Sequence, residues 1–441
     1  MSKTRSLEGM SPGLLRVMER AKRNPRERQF SLAHLIDVDA LRRAYDRIRK
    51  DAAVGVDGVT KEEYGQNLEE NLRDLHGRLK TMKYRHQPIL RVHIPKDKNR
   101  TRPIGVSATE DKVVQGALTE ILGAMYEQDF GECSYGFRPG RGARDALRAL
   151  NGAVRDGGVN VILEADIKSF FDTIVRPILL EMLQMRIADK SLMRLVAKCL
   201  HVGVLDGETF TRPDEGTVQG SIISPMLGNI YLHNALDKWF EEEVKPRLNG
   251  KSVLIRYADD FVIGFEHMED AKRVMGVLGI RLERYGLSLH PDKTRLVDFR
   301  RPSPGQRGGK GPGSFDFLGF TVYWRRNVRG PGWHMSWKTR KARLGRAIKA
   351  VYAQCRCQRH WTVPEQHRAL VRRIQGHFNY FGVNDNTRSL SLLNEKVKRA
   401  WFKWLNRRSH RSRMNWDRFN DLLKDFPLPV PRVYVDLWGS P

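Results

Sequence analysis

The chain lacks any long apolar run. No stretch of its 441 residues approaches the ~18 consecutive apolar residues that a membrane span requires. The opening residues 1–6 also lack the apolar core of a secretory signal peptide. We therefore expect a soluble, cytoplasmic protein with no membrane partner.

Cysteine is also scarce. Cys133, Cys199, Cys355 and Cys357 are too few and too irregularly spaced for a disulfide framework in a chain of this size. The last two, together with His360, resemble a zinc-ligand pattern. They offer only three ligands at the end of an expected helix, with no fourth ligand nearby. We expect reduced thiols and no zinc site.

Acidic residues are missing from one long segment. None lies between Asp316 and Glu365, and residues 321–432 hold 26 Lys and Arg against 6 Asp and Glu, which is +20 of the formal net charge of +27. A generic basic surface is the alternative interpretation, but an ordinary solvated surface would mix both signs. The excess charge predicts a polyanionic partner, with nucleic acid as the first candidate.

Two acidic segments stand out in the more balanced part of the chain. Asp259 and Asp260 follow an aromatic and a small residue inside an apolar run, which predicts a hairpin with both carboxylates at its turn. Upstream, an apolar strand pattern over 161–166 ends at Asp166. An aspartate in either pattern alone is more often a cap or part of a surface turn than a metal ligand. Together they suit two divalent metal ions ~4 Å apart, which serve phosphoryl transfer.

Apolar periodicity predicts a mixed α+β chain. The expected helices cover 1–50, a stretch ending near 79, 109–127, 143–154, 177–201, 222–236 and 269–285, and then 336–357, 365–381 and 389–408 in the basic part. The expected strands cover 89–95, 104–106, 161–166, both sides of the acidic turn at 259, 287–294 and 315–322.

Cationic side chains are expected both at the phosphoryl-transfer site and in the basic helices. Lys96 and Arg102, in the basic loop between the first two strands, would bind an incoming triphosphate, and Gly220 beside Gln219 allows a close backbone approach. In the basic part, helical spacing favours packing for Trp401 and Trp404. The residues expected to meet RNA phosphates there are Arg399, Lys403, Arg407 and Arg408.

Eight segments resemble those of bacterial group II intron-encoded reverse transcriptases and maturases. In the family's order they are 53–64 (AVGVDGVTKEEY), 94–105 (IPKDKNRTRPIG), 135–141 (YGFRPGR), 165–172 (ADIKSFFD), 216–232 (GTVQGSIISPMLGNIYL), 256–261 (RYADDF), 289–294 (LHPDKT) and 317–320 (FLGF). The resemblance covers roughly residues 53–432. It implies a right-hand polymerase with fingers, a palm built on an antiparallel sheet, and a helical thumb that doubles as a maturase region.

This resemblance also implies a domain order. The expected parts are an N-terminal helical extension (1–50), fingers with the first palm elements (51–160), the palm (161–325), the basic thumb and maturase region (326–432) and a tail (433–441). No Cys- and His-rich nuclease module follows the maturase region, so we expect no second-strand cleavage by this chain.

Roles in catalysis carry over to matching positions. The resemblance implies that Asp166, Asp259 and Asp260 are catalytic acids and ligands of two Mg²⁺ ions, with Mn²⁺ as a substitute. The backbone carbonyl of Ile167 is expected near the second ion. Phe171 resembles the aromatic gate that excludes a ribose 2′ hydroxyl.

Roles in substrate binding carry over as well. Lys96 and Arg102 match triphosphate-gripping positions, Gln219 and Gly220 match the nucleotide-pocket loop, and Lys293 matches a lysine near the primer. One residue departs from the family pattern: Val218 stands where proline is usual, so the rigidity of this loop does not come from a fixed φ.

The implied function is RNA-templated DNA synthesis with dNTPs on a DNA primer, together with binding of structured RNA, expected to be group II intron RNA, and of target DNA. Assistance in splicing and retrohoming is part of the same expectation. Two alternatives are a domesticated relative in defence or repair and a splicing-only RNA-binding maturase. The three intact acids speak against the second.

Overall fold

Helices and strands share the chain in a mixed α+β fold, as expected. The computed structural model describes residues 10–95, 101–213, 215–303, 313–327, 330–408 and 414–438. The helices are α1 Pro12–Arg23, α2 Val38–Arg47, α3 Lys61–Gln66, α4 Leu68–Lys80, α5 Thr109–Tyr126, α6 Ala143–Arg155, α7 Arg176–Gln184, α8 Lys190–Leu200, α9 Ser224–Leu232, α10 Met268–Glu283, α11 Lys341–Cys357, α12 Val363–Phe381, α13 Thr387–Leu405 and α14 Trp416–Asp425. The strands are β1 Ile89–Pro95, β2 Thr101–Val106, β3 Val161–Asp166, β4 Val204–Asp206, β5 Thr209–Thr211, β6 Ser252–Tyr257, β7 Asp260–Phe265, β8 Arg295–Asp298, β9 Phe315–Phe317, β10 Phe320–Arg326 and β11 Trp333–Thr339.

A four-stranded antiparallel sheet in the order β6-β7-β3-β8 lies between two hydrophobic cores. Successive side chains of a strand point to opposite faces. On β7, Phe261 and Ile263 belong to one core, whereas Val262 between them belongs to the other. Because both faces are covered, the strands that carry the acidic residues are apolar along most of their length.

The two cores divide the helices between the faces of this sheet. The first core contains residues of α1, α2, α4, α5 and α7 to α10. The second contains residues of α6, α11 to α14 and the three-stranded sheet β11-β10-β9. Trp401 and Trp404 are buried in this second core, which confirms the prediction that they pack.

A smaller sheet in the order β2-β1-β4-β5 carries the basic hairpin. Strands β1 and β2 pair antiparallel from Leu90↔Val106 to Pro95↔Thr101, so the second strand begins three residues before the expected 104. Asp206 on β4 holds this hairpin through His93, whose Nε2 lies 3.1 Å from both carboxylate oxygens.

Two expected strands are corrected by the structure. The segment 315–322 is a hairpin rather than one strand, because Leu318 (φ 50°) and Gly319 (φ 81°) turn the chain between β9 and β10. The segment 287–294 forms a single bridge at Leu289 and then a 3₁₀ turn at Pro291–Lys293. Proline lacks the N–H that a ladder needs, so the strand β8 starts only after it.

Two expected helices also differ, and a further helix is present. Residues 333–339 form β11, paired with β10 along its whole length, so α11 begins at Lys341 instead of 336. The helix expected to end at 236 continues beyond α9 as wider π-helical turns, His233–Asp237 and Trp239–Val244. Helix α14 was not expected; Phe419, its buried residue, packs against Trp401 with ring centroids 5.8 Å apart.

The predicted domain boundaries remain predictions. The boundary between 325 and 326 falls inside β10. The described part of the tail packs against the second core, since Val435 forms a bridge with Val383 and Asn151 on α6 donates to the Leu437 carbonyl over 3.0 Å.

The structure bears on the expectations about membrane spans and cysteine thiols. No helix in the described parts of the chain has both the length and the apolarity to cross a membrane. All four cysteines are free thiols, as expected. Cys355 is buried, and burial raises the pKa of its thiol to about 12, whereas Cys357 is exposed.

Candidate nucleotidyl-transfer site

Asp259 and Asp260 lie at the turn of a tight hairpin. Strands β6 and β7 pair up to Tyr257 and Asp260, so only Ala258 and Asp259 connect them. Ala258 has φ 56°, in the left-handed region that costs a non-glycine residue roughly 1 kcal/mol. The pairing confirms the predicted hairpin, and Ala258 holds a backbone conformation that glycine would adopt at lower cost.

Asp166 meets this turn from the neighbouring strand. It is the last residue of β3, and the antiparallel register with β7 sets it directly opposite Asp260. Opposite residues in such a pair have Cα atoms roughly 4.5–5.5 Å apart. Three acidic residues that are far apart in sequence thus lie at one edge of the sheet.

The clustered carboxylates disfavour one another's ionisation. Burial is the largest cause that raises the pKa of Asp260 to about 7; the charges of Asp259 and Asp166 add to it, and a 3.3 Å hydrogen bond from the Leu318 N–H opposes it. Burial likewise raises the pKa of Asp259, and the charge of Asp166 contributes. Negative charge confined in this way favours a nearby cation.

Lys293 supplies one such cation. Its Nζ donates to Oδ2 of Asp166 in a partly exposed ion pair. The lysine lies in the 3₁₀ turn that precedes β8, the strand adjacent to β3. The residue expected near the primer therefore contacts an expected catalytic acid.

The donor set suits a divalent metal ion, although the side chains are not drawn together around one. Within the described ranges, no group of three or more His, Cys, Asp or Glu side chains is arranged to hold a metal. Asp166 is turned to Lys293, and Asp260 to the Leu318 N–H. Three carboxylates at adjacent strand ends nevertheless offer the oxygen ligands that Mg²⁺ takes, and a cation would lower the raised pKa values of Asp259 and Asp260.

Ile167 directly follows Asp166. It is buried and forms an isolated bridge with Leu289. The hydrogen bonds of this bridge join the Asp166 carbonyl to the His290 N–H and the Lys168 N–H to the Ser288 carbonyl, both over 2.8 Å. These contacts fix the backbone at Ile167, whose carbonyl was expected near a metal.

A fully buried arginine is hydrogen-bonded to the backbone of the acidic turn. Arg256 forms an ion pair with Asp237, with Nε 2.7 Å from Oδ1, and its Nη1 donates to the Ala258 carbonyl over 3.1 Å. Further bonds run to Asn229 Oδ1 (3.0 Å) and Ser134 Oγ (2.9 Å). The turn is thus connected to the helix after α9 and to the loop before α6.

The same loop approaches the turn closely. A Cβ on Gly136 would lie 2.4 Å from the Ala258 nitrogen, so only glycine fits. Asn229 Nδ2 donates to the Gly136 carbonyl over 2.7 Å, which ties the approach to Arg256 through Asn229. This explains why the 135–141 segment of the sequence belongs with the acidic hairpin.

The expected nucleotide residues that the structure describes come together. Arg102 on β2 donates through Nε to Gln219 Oε1 over 2.9 Å. Gly220 has φ 108°, and a Cβ there would lie 2.5 Å from the Gly105 carbonyl oxygen, so this loop packs tightly on β2. Lys96 lies outside the described residues.

Phe171 lies beside the same loop. The Thr217 N–H donates to its carbonyl over 2.7 Å. Its ring contacts that of Phe170, with centroids 5.1 Å apart, and a Cβ on Gly228 of α9 would lie 3.2 Å from it. The ring therefore lies against Phe170 and α9, while the backbone of Phe171 is hydrogen-bonded to the loop that carries Gln219.

The expected RNA-binding residues lie along the end of α13. Arg399 is mostly exposed and pairs with Glu395 over 2.6 Å. Lys403 lies over the Tyr352 ring at 5.1 Å, and Arg407 over Trp404 at 5.5 Å. Arg408 donates from Nε to the Arg359 carbonyl over 2.6 Å, so part of its hydrogen-bonding capacity is used within the protein.

Sequence reasoning missed the buried polar residues that support the site. Arg256 and Gln115 both interrupt apolar runs, and each is fully buried. A polar residue at an apolar position is the signal that points to a buried network. Their partners, Asp237 and Asn229 among them, become evident only from contacts across the fold.

Comparison with known proteins agrees with this geometry. Residues 94–322, slightly more than half of the chain, match the family model described as reverse transcriptase (RNA-dependent DNA polymerase). The chain belongs to the reverse transcriptase family. This reverse transcriptase has the right-hand polymerase fold of the family, and the expected enzyme class is confirmed at the level of the family.

Individual relatives point the same way. Protein YkfC of Escherichia coli K12 is 33% identical over 277 residues, which cover 55% of this chain and 71% of YkfC. The group II intron-encoded protein LtrA of Lactococcus lactis subsp. cremoris is 31% identical over 242 residues, or 54% of this chain and 40% of LtrA. An uncharacterized 91 kDa protein in a cob intron of Schizosaccharomyces pombe is 31% identical over 54% of this chain and 30% of its own length.

These findings confirm the resemblance to group II intron reverse transcriptases and maturases. They indicate nucleic acid as the general class of partner. Reverse transcriptases generally use divalent metal ions, in agreement with the carboxylate cluster. The matched stretch covers less than half of LtrA, so activities of the whole of that protein do not transfer directly.

Proposed function

We propose that this chain extends a DNA primer on an RNA template, as an RNA-directed DNA polymerase with Asp166, Asp259 and Asp260 as its catalytic acids. The observation that supports this most is the strand register that sets Asp166 opposite Asp260, beside the turn with Asp259. Two bound Mg²⁺ ions would activate the primer hydroxyl and stabilise the leaving pyrophosphate.

The protein's own groups bind and orient the reactants. Arg102, Gln219 and Gly220 would form the side of the pocket toward the dNTP, and Lys96, which lies between β1 and β2 in the sequence, would add a further cation. Phe171 would contact the sugar, and the hydrogen bond between its backbone and the loop that precedes Gln219 supports this role. Lys293 pairs with Asp166 and orients its carboxylate, which with Asp259 and Asp260 would hold the metal ions.

The basic helices provide the nucleic-acid surface. Residues 321–432 carry a charge excess of +20, Arg399 and Lys403 are exposed on α13, and the exposed Arg407 and Arg408 follow its C-terminal end. Phosphate contacts of this kind give affinity without base readout. We propose on this basis that residues 326–432 are the thumb and maturase region. Residues 161–325, which carry the three acids, would form the palm.

A second proposed role is binding of group II intron RNA to assist splicing and retrohoming. It is favoured by the basic helical region and by the similarity to a group II intron-encoded protein. A role in defence or repair would use the same polymerase residues. Binding of an intron transcript from the genomic neighbourhood of the coding region, compared with an unrelated RNA of equal length, separates the two.

Primer extension tests the proposed polymerase. The purified full chain, an RNA template annealed to a DNA primer, dNTPs and Mg²⁺ should yield extended DNA, and EDTA should abolish it. Replacement of the RNA template by an RNA that lacks complementarity to the primer is the matched control. No extension by well-folded protein on any primed RNA would overturn the proposal.

A further inference from the structure

The loop that carries Gln219 and Gly220 is hydrogen-bonded to one buried glutamine. Gln115 lies on α5, is fully buried, and accepts at Oε1 from the Ser221 hydroxyl (2.9 Å) and from the Ile222 N–H (3.0 Å). These two residues directly follow Gly220. The amide therefore contacts the loop one residue beyond the expected nucleotide-binding pair Gln219 and Gly220.

The other end of the Gln115 amide is fixed as well. Its Nε2 lies 2.9 Å from His86 Nε2 and donates to Ser107 Oγ over 3.2 Å. A primary amide has two donors and two acceptor positions, and all four are used here. Rotation of the amide away from this position would break these contacts.

The orientation of the amide follows from its partners. The Ile222 N–H is always a donor, so the atom facing it is the amide oxygen, and the amide nitrogen must face His86. His86 Nε2 therefore accepts, and its proton sits on Nδ1, which lies 2.7 Å from the Gln87 carbonyl and 3.3 Å from Asp111 Oδ2. Asp111 in turn accepts from Tyr84 Oη over 2.6 Å.

The turn at Gln219 and Gly220 is closed by a backbone hydrogen bond from the Ser221 N–H to the Val218 carbonyl over 3.2 Å, and its position also depends on contacts with the rest of the protein. Val218 stands where proline is usual in the family, so the backbone is not restricted there. Ser224 Oγ donates to the Val218 carbonyl over 2.9 Å, and the Gly105 N–H donates to the Gln219 carbonyl over 2.6 Å. Gln115 supplies the remaining anchor on the far side of Gly220.

We propose that Gln115 is a positioning residue for the nucleotide pocket, acting through Ser221 and Ile222 on the placement of Gln219 and Gly220. The proposal rests on the proposed polymerase function. Removing the amide should weaken dNTP binding more than it slows the chemical step. The three carboxylates lie at the end of β3 and at the β6–β7 turn, so they keep their contacts.

The test compares Gln115→Met with wild type in steady-state primer extension. Methionine has a similar shape but leaves the loop N–H without its acceptor. We expect the KM for dNTP to rise about tenfold, as loss of two hydrogen bonds allows, with kcat changed by less than about threefold. Hydrogen exchange should accelerate at the amide of Ile222, while the amides of α5 stay protected.

Gln366→Met is the matched control. Gln366 on α12 is equally buried and donates to the carbonyls of Gln358 and Trp361 over 2.8 and 3.1 Å, far from the loop in sequence and in the second core. The KM for dNTP should not change in this variant. A KM for Gln115→Met within twofold of wild type, or an equal rise in both variants, would overturn the proposal.

Ser221→Ala covers the case in which Gln115→Met fails to fold. It removes one of the two loop bonds and should raise the KM for dNTP about threefold, whereas Ser107→Ala, which removes a Gln115 contact outside the loop, should not. An unchanged KM in Ser221→Ala contradicts the positioning role. Failure of the proposed function itself is distinct, because it appears as absence of extension by the wild-type chain.

Discussion

Arg102 and Gln219, which are far apart in the sequence, share a hydrogen bond of 2.9 Å from Nε to Oε1. One residue belongs to the β1–β2 hairpin and the other to the loop before α9. The contact joins the two parts of the chain that were expected to hold the nucleotide. Each of the two side chains is therefore oriented by its contact with the other.

This coupling predicts non-additive effects. Arg102→Ala and Gln219→Ala should each raise the KM for dNTP, and the double variant should raise it by less than the product of the two factors. Residues in direct contact show interaction energies of roughly 0.5–3 kcal/mol in such cycles. Steady-state kinetics on one primed RNA measures all four proteins. Strictly multiplicative factors would show that the contact has no role in nucleotide binding.

Asp259→Asn should reduce primer extension by several orders of magnitude, because the amide cannot replace a charged ligand in a two-metal site. Single-turnover extension with saturating dNTP and Mg²⁺ measures the chemical step. Asp298→Asn is the control: Asp298 lies on β8 of the same sheet, and its carboxylate pairs with Arg300. Activity of Asp259→Asn within a few-fold of wild type would remove this residue from the site.

Phe171→Ala should admit ribonucleotides more readily. The ring lies against α9 and the backbone of Phe171 is bonded to Thr217, so loss of the ring leaves space where the sugar would lie. The ratio of kcat/KM for dCTP to that for CTP is the measurement, and it should fall while kcat/KM for dCTP changes less. An unchanged ratio would rule out Phe171 as the gate.

Arg256→Met should destabilise the fold strongly. The substitution leaves Asp237 buried without its partner, which typically costs about 3–5 kcal/mol. Denaturant unfolding measures the loss. The double variant Arg256→Met/Asp237→Leu should recover part of it, and Arg49→Met, which breaks an exposed ion pair, should have no measurable effect. Equal unfolding midpoints for Arg256→Met and wild type would contradict this account.

RNA affinity should fall steeply with salt, with a log–log slope of several units, since each phosphate contact releases counterions. Filter binding at several salt concentrations gives the slope. Arg399→Gln and Lys403→Gln should each lower it by about one unit if these side chains meet phosphate. Glu395→Gln, which frees Arg399 from its partner, should not lower it. Affinity that is insensitive to salt would refute the polyanion interpretation.

Part of the site followed from sequence because its physics is local. The apolar runs around Asp259 and before Asp166 predict strands ending in carboxylates, since an unpaired acid inside such a strand would be costly. The charge excess of residues 321–432 is likewise visible without a fold. The hairpin at Leu318 and Gly319 was missed, because a continuous apolar pattern looks like one strand until backbone turns are known.

The sequence by itself determined the family, the α+β class and the acidic and basic residues that chemistry requires, because residue type and short-range spacing carry that information. Only the tertiary structure decided that Asp166 lies opposite Asp260, that Arg256 bonds to the turn beside them, and that Gln115 holds the nucleotide loop. The first and the last of these contacts join residues separated by many tens of positions, and Arg256 is fixed by Asp237 and Ser134 on other elements. Their geometry depends on strand register and on packing between helices, which no local pattern specifies.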